Sequence, residues 1–540
     1  MRRDCVFPNT KFVYSDEHKK INYDEIGYFV ENLIEKGAKT RVVDPFGTIQ
    51  VECDSEFYAY GADPLTKNVV EKKIKYFIKG PLTEEWVKIT TATNRTYTMT
   101  LNHDFMYLDE NDEFKFKKAK DINVDDKVLV LDYFKPKINY NPKFNLVKEF
   151  IENVPNSILQ RIRIENSDLF FKTLVKKVGR KNICKSLNLK SKYNRNLYRW
   201  YKAVPLTDFK KLVDLNLVLI DDLPNSSKLR CLFGKFKFNI KLEINDNLAS
   251  LLGYFTAEGH LHTNKTTKQI SFRNSTKSIV NKIFNSTLSC FGIKPILEEN
   301  NTKVTICYDL IYYLFKYCFK IGSNAHNKKV PPFLYNTPDH IVSSYISAYI
   351  DGDGTVIPET KVISFSSVNL SLLDDLAFLL TRFNLIGRFF INNPRLPGRT
   401  VLENYKRLQK EPKYSIRNDL TYRGKDAQKL GLLLKLEHLG KKSEVEEILT
   451  LKPINRRALS YNHKQLELCS FGDSFVDYVK KVEIIKDKAH SYCLEVEWKE
   501  KEERNIIWGQ QIINTRCDGD EACVILLMDL LLNFSKKFIP

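Results

Sequence analysis

The chain has 540 residues, 43% of them apolar, and a formal net charge of +19. Such a length supports several cores, about three or four domains of roughly 100 to 200 residues. The charge calls for a polyanion partner, since Lys and Arg gain affinity by neutralising phosphate and releasing counterions; a solvated basic surface is the alternative.

The eleven cysteines are scattered without a C-x-x-C pair, which argues against structural zinc and a disulfide framework. "MRRDCVFPNT" has no apolar signal core, and "VILLMDLLLNF" falls short of the roughly 20 apolar residues of a membrane span. A cytoplasmic protein without membrane attachment is expected.

In chain order, residues 5 to about 135 hold short β-type runs such as "TRVVDPFGTIQVEC", "WVKITTATNRTYTMTL" and "DKVLVLDYF", broken by Gly, Pro and Asn-Asp turns. This portion reads as all-β. Cys5 opens it, and Thr100 stands three residues before His103. A thiol is a good nucleophile, and an imidazole acts as acid or base on the group attacked. A buried cysteine and a surface histidine would fit the same residues.

From about 145 to 240 the pattern turns helical and basic. Between Lys172 and Lys211 there are thirteen Lys and Arg against one acid, Asp208. "NICKSLNLKSKYNRNLYRWYKAVPL" outlines a helix-turn-helix whose second helix would carry Arg195, Arg199, Trp200 and Lys202 to DNA; a plain basic helical spacer is the alternative.

An internal repeat follows. "ISFRNSTKSIVNKIFNSTLSCFGIKP" (Ile270 to Pro295) aligns without a gap with "ISFSSVNLSLLDDLAFLLTRFNLIGR" (Ile363 to Arg388), at an offset of 363 − 270 = 93 residues. Each copy predicts strand, helix, strand. Ahead of each lies an apolar helix ending in an acid and a glycine, "LLGYFTAEG" and "ISAYIDGDG", with Glu258 and Asp353 at 353 − 258 = 95 residues. Small residues, Gly253 and Ala257 in one helix and Ser347 and Ala348 in the other, allow close packing. The final glycines are expected in left-handed turns. Two acids brought together repel unless they share a cation, the setting for divalent metals that activate a phosphate.

These residues resemble the LAGLIDADG homing endonucleases over roughly 245 to 440, with both helices in one chain. The resemblance implies two αββαββ-type halves whose sheets lie in the major groove of a long double-stranded DNA site, acting as a monomer, with Mg²⁺-dependent cleavage at Glu258 and Asp353. "NKKVPPFLYN" also resembles the family, and Lys328 and Lys329 are assigned to assist there; a solvent-facing pair is the alternative.

Behind the repeat, "HSYCLEVEWKEKEERNIIWGQQIIN" predicts a β-hairpin tail. The order Cys5, Thr100-x-x-His103, "AKDINVDDKVLV", "YCLEV" and Asn514–Thr515 resembles an intein of the Hint fold over about 5 to 135 and 475 to 514. The resemblance implies an all-β horseshoe split by the α+β endonuclease and the basic helical segment, with Cys5, Thr100, His103, Asn514 and Thr515 as splicing residues and no cofactor for splicing. Two positions depart from the family pattern: Ile513 and Arg504 stand where histidines are usual.

The expected borders are 1–4 for an amino-terminal host remnant, 5–140 and 475–514 for the splicing domain, 145–240 for the basic segment, 245–440 for the endonuclease and 515–540 for a carboxyl-terminal host piece. Joining the two host pieces gives "RRDTRCDGDEACVILLMDLLLNFS". It resembles the catalytic region of the large subunit of archaeal family D DNA polymerase, which implies that Asp518 and Asp520 bind Mg²⁺ in the spliced host. The competing reading is a free-standing DNA endonuclease or DNA-binding regulator whose β domain is architectural.

Overall fold

Two strands of 23 residues each, Val69–Thr91 and Ser474–Val496, set the frame. They pair antiparallel from Val479↔Thr91 to Val496↔Ile74, with four register shifts along the way. A ribbon of that length, at about 3.3 Å per residue, cannot stay flat over a compact core. The shifts bend it, because each unpaired residue kinks its strand and adds twist.

The computed structural model describes residues 5–514 apart from 64, 136–139, 188–199, 233, 265–266, 396–414, 453–457, 462–463, 468, 498–506 and 510; the side chains of 393–395, 415, 458–461, 464–467, 508, 513 and 514 lie outside the description too. Two compact units emerge: 1–139, 356–432 and 447–540 form one, and 140–355 with 433–446 the other. These borders cut the expected 245–440 domain at 355/356, within the second copy, and again at 432/433.

In the first unit the long ribbon belongs to a closed circuit. Ser474–Val496 pairs with Lys127–Leu131, which pairs with Ile512–Asn514, then Ile507–Gly509, Lys11–Asp16, Phe57–Ala62 and back to Val69–Thr91. Closure removes the exposed edges that strands otherwise offer to other chains. Residues 5–135 are mainly strands, with a short 3-10 turn at Ala119–Asp121 and a helix, Ile26–Glu35, whose Phe29 and Val30 enter the core. Inside, Phe12 packs against Phe29 and Phe77 at ring separations of 5.5 and 6.0 Å. Each such buried side chain contributes about 1.5–3 kcal/mol of burial.

The repeat is visible as sheet order. In the first copy Gly259–Thr263, Lys268–Arg273, Lys303–Ile306 and Ile296–Glu298 pair in that sequence, with helix Lys277–Phe291 between the second and last. In the second, Gly354–Ile357 leads to Val362–Ser367, Ser415–Arg423 and Arg388–Arg395 in the same order, with helix Leu370–Leu380.

The basic segment differs from expectation, since it mixes helices with a sheet of Val204–Pro205, Ile162–Glu165, Lys228–Cys231 and Phe238–Asn239. Helix Arg180–Ser186 is present, while Arg195 and Arg199 lie outside the described residues. Trp200, expected at DNA, is buried. Its indole packs on Phe171 at 5.4 Å and donates Nε1–H to Asp208 at 2.9 Å, so it serves the core. Lys202 is exposed. Among the described residues no helix is long and apolar enough to cross a membrane.

Candidate functional site

Cys5 is held by the two elements the sequence brings to it from afar. Val6 N–H donates to the Tyr492 carbonyl at 2.9 Å and Tyr492 N–H to the Val6 carbonyl at 3.0 Å, stitching the chain start to the long carboxyl-terminal strand. On the other side Thr100 N–H donates to the Cys5 carbonyl at 3.0 Å, while Cys5 N–H points to Thr100 Oγ1 at 3.5 Å. Strand Thr96–Thr100 ends here, and His103 N–H closes the following turn on the Thr100 carbonyl at 3.1 Å. His103 is fully buried. The Cys5 thiol is itself buried, 3.4 Å from the thiol of Cys493, in an apolar patch with Ile78.

The sequence thus identified Cys5 and Thr100, which the fold places together. It missed Cys493. The letters "YCLEV" were in view, but nothing local says which strand face meets Cys5. At the other junction, Ile512–Asn514 pairs with Ile507–Gly509 and with Lys127–Leu131. The Asn514 and Ile513 side chains, Arg504, Thr515, Asp518 and Asp520 lie outside the described residues.

The second cluster sits in the other unit, where helices Asp246–Glu258 and Asp339–Asp353 cross. A side-chain carbon on Gly253 would meet Ala348 Cβ at 2.8 Å, and one on Gly352 would meet Ala257 Cβ at 2.6 Å. The crossing therefore uses Gly253, Ala257, Ala348 and Gly352. Ser347 faces elsewhere: its Oγ donates to the Ser343 carbonyl at 2.7 Å and accepts Lys435 N–H at 2.9 Å.

The terminal glycines are not left-handed, contrary to expectation. Gly259 and Gly354 are extended, with φ of −75° and −87°. Their need for glycine is steric, since a Cβ at either would lie 2.6 Å from the Cα of Phe255 or Ile350 respectively.

At the shared end of this pair each helix terminus meets a lysine. Lys328 Nζ donates to the Ala257 carbonyl at 3.2 Å. Lys441 Nζ donates to the carbonyls of Ile350, Asp351 and Gly352 at 2.7, 2.8 and 3.2 Å. Ammonium groups suit the partial negative charge of a helix carboxyl end. Glu258 accepts two bonds from Asn274 Nδ2, at 2.7 and 2.8 Å. Burial, opposed by Asn274 and reinforced by the Asp353 charge, lifts its carboxyl to about 7. Burial likewise brings Lys328 down to about 8, against the pull of Asp353 and Glu258.

Of the two predicted lysines, then, Lys328 is buried at the acids and Lys329 is exposed. Lys441 and Asn274 went unforeseen. Asp351 anchors Lys441's segment, accepting N–H bonds from Glu437 and His438 at 3.0 Å each and the Tyr254 hydroxyl at 2.9 Å. The oxygen donors Glu258 and Asp353 suit a hard cation, and no third acid joins them among the described residues.

Comparison with known proteins adds the following. Residues 513–540 match the family model of the DNA polymerase II large subunit DP2, catalytic domain. The DNA polymerase II large subunits of Thermococcus kodakarensis and Haloquadratum walsbyi are 26% and 22% identical to this chain over 488 and 578 residues. Those alignments take in 89% and 100% of this chain but 25% and 24% of the relatives, so the chain spans about a quarter of the length of the curated relatives it matches. Among solved structures, the transcription factor IIB Mvu mini-intein and the Pab PolII intein are 16% and 22% identical. They cover 24% and 23% of this chain and 69% and 64% of their own, each with a TM-score of 0.21. Residues 24–513 match the family model of the intein splicing domain, and on that match the chain belongs to the intein family.

Proposed function

We propose that Cys5 to Asn514 excises itself and joins its flanks through the chemistry of these residues. The Cys5 thiolate attacks the carbonyl of Asp4, breaking the Asp4–Cys5 amide to give a thioester and a free Cys5 amine. Thr100 orients that amide, and His103 delivers the proton its nitrogen needs. The Thr515 hydroxyl displaces the Cys5 thiolate, giving an ester. The Asn514 side-chain nitrogen attacks its own carbonyl carbon, breaks the bond to Thr515 and closes a succinimide. The freed Thr515 amine then takes the acyl group from its own oxygen, leaving an Asp4–Thr515 peptide bond. The observation that carries this reading is Cys5 seated between Thr100 and the Tyr492–Cys493 strand.

A second activity is favoured by the crossed acidic helices: we infer a LAGLIDADG-type homing endonuclease that cuts long double-stranded DNA sites as a monomer. Glu258 and Asp353 would hold Mg²⁺, which when bound supplies Lewis-acid stabilisation of a phosphate. The oxygen donor set of two carboxylates fits a hard cation. Lys328 and Lys441, beside these acids, would supply positive charge to a phosphodiester. Lys202 and the basic stretch around Arg195 and Arg199 supply backbone affinity. The host we propose is a DNA polymerase of the DP2 type, with Asp518 and Asp520 as its Mg²⁺ ligands after splicing.

The experiment is mass spectrometry of the chain with longer host flanks, beside Cys5→Ala, Asn514→Ala and Asp353→Asn, each also assayed on DNA carrying the joined flank sequence with Mg²⁺ or EDTA. Excised Cys5–Asn514 lighter by one water, with joined flanks, is expected from the parent and from Asp353→Asn. DNA cleavage is expected from Cys5→Ala with Mg²⁺ only. An intact precursor that still cuts DNA would remove the splicing reading and keep the nuclease.

A further inference from the structure

The carboxyl-terminal hairpin turns on a residue that does not favour its conformation. Gln511 has φ of +63°, a left-handed backbone that costs a non-glycine residue about 1–2 kcal/mol. The turn it belongs to sets the pairing of Gly509 with Ile512, Trp508 with Ile513 and Ile507 with Asn514. In a hairpin so short the turn fixes register, and a slip of one residue would send every side chain to the opposite face. The face on which Asn514 is presented therefore depends on Gln511 holding that conformation.

Gln511 is fully buried and bonded on both ends of its amide. Oε1 accepts from Arg95 Nη2 at 3.3 Å, and Nε2 donates to Asp374 Oδ1 at 3.1 Å. Its carbonyl accepts Leu131 N–H at 2.8 Å. Asp374 lies on helix Leu370–Leu380, in the second repeat, and is fixed in turn: Oδ2 accepts the Tyr23 hydroxyl at 2.9 Å and faces Lys11 Nζ at 3.4 Å. Lys11 also pairs with Asp375 at 2.5 Å and donates to the Ser371 carbonyl at 2.7 Å. Arg95 is tied to the same repeat through the Gly387 carbonyl at 3.0 Å. A buried amide so fully satisfied specifies one geometry, and losing a partner leaves a polar group unpaired.

We propose that Asp374 is a positioning residue for the reaction at Asn514, acting with Arg95 to clamp the Gln511 turn. This rests on the reading of Asn514 as the cyclising residue. The second repeat is thereby part of the splicing machine: its helix supplies one jaw of the clamp, and residues 356–432 fall in the same compact unit as the β circuit.

The test uses the full chain with host flanks and follows the two junctions separately. Cleavage at Cys5 is driven with dithiothreitol; release at Asn514 is read by mass spectrometry. Asp374→Ala is expected to slow release at Asn514 by about tenfold or more, as expected for a misplaced reacting group, while leaving thiol-driven cleavage at Cys5 within about twofold. Adding Gln511→Gly to Asp374→Ala should restore release, because glycine takes positive φ without strain and needs no clamp. Asp374→Asn, which keeps a carbonyl acceptor for Gln511, should fall between.

Equal slowing at both junctions would show a general loss of folding and overturn the proposal. So would unchanged release from Asp374→Ala, or a double variant as slow as the single one. A parent chain that cleaves at Cys5 yet never at Asn514 would overturn the reading of the junction itself, and the clamp with it.

Discussion

The sulfur atoms of Cys5 and Cys493 lie 3.4 Å apart, although 488 residues separate them in the chain. A disulfide needs about 2.0 Å, so a modest shift joins them. A disulfide oxidant such as oxidised glutathione would take two electrons from the pair and carry off both thiol protons, leaving Cys5 without a nucleophile. Oxidised precursor is expected to be lighter by two hydrogens and inert at Asp4–Cys5, and to recover with dithiothreitol. Cys493→Ser should ignore the oxidant. Persistent inhibition in that variant would assign the effect to another cysteine.

The lysines on the helix ends should matter to DNA cleavage and not to splicing. Lys328→Met and Lys441→Met each remove one charge from the acidic pair; a loss of about 10²–10³-fold in cleavage rate is expected, the scale for deleting one preorganised electrostatic group. Single-turnover cutting of a linear duplex measures it. Lys329→Met, at an exposed position, should retain most activity, and equal losses at 328 and 329 would mean that burial is no guide here.

Helix crossing gives a stability prediction. Gly253→Ala inserts a methyl into a space already taken by Ala348 and the Tyr345 backbone, at a cost of about 1–3 kcal/mol for overpacking. Urea unfolding should show it as a lower midpoint. Substitution of Gly37, whose added carbon would meet nothing within 4 Å, is the control for steric cost, although its φ of +91° makes that variant mildly unfavourable too.

Acid should weaken the basic segment at Glu165. Burial alone would raise this carboxyl, but Lys237 at 2.8 Å and Arg230 at 2.6 Å hold it below the ordinary value. A carboxyl lowered on folding adds stability above its unfolded value of about 4.3, and that stability fades as pH falls through the folded value. Glu165→Gln should therefore lie closer to the parent at low pH than at pH 7, in thermal melts of the two chains compared at each pH. A gap between the two that is independent of pH would exclude the ion pairs as its source.

Legibility from sequence followed periodicity. The duplicated strand-helix-strand unit and the acids at its helix ends repeat at nearly fixed spacing, the flanks carry short β-type runs, and the structure shows each of these. Lys441 lies 441 − 353 = 88 residues beyond Asp353 in a stretch without period, so only the fold reveals that it caps the same helix. Trp200 misled because an aromatic among lysines suits DNA and core alike, and burial against Phe171 decided it. The terminal glycines were rightly singled out for the wrong reason: crowding by the preceding turn, and not positive φ, forbids a side chain there.

The pairing of Val6 with Tyr492 also acts as a clock. During synthesis Cys5 emerges 492 − 5 = 487 residues ahead of Tyr492, so half of the pocket around Cys5 is made by a strand that leaves the ribosome long after it. Until then Cys5 lacks the strand that pairs with Val6 and brings Cys493 to its thiol. On the splicing chemistry proposed above, scission at Cys5 before that strand exists is thereby held back by the order in which the polypeptide is made.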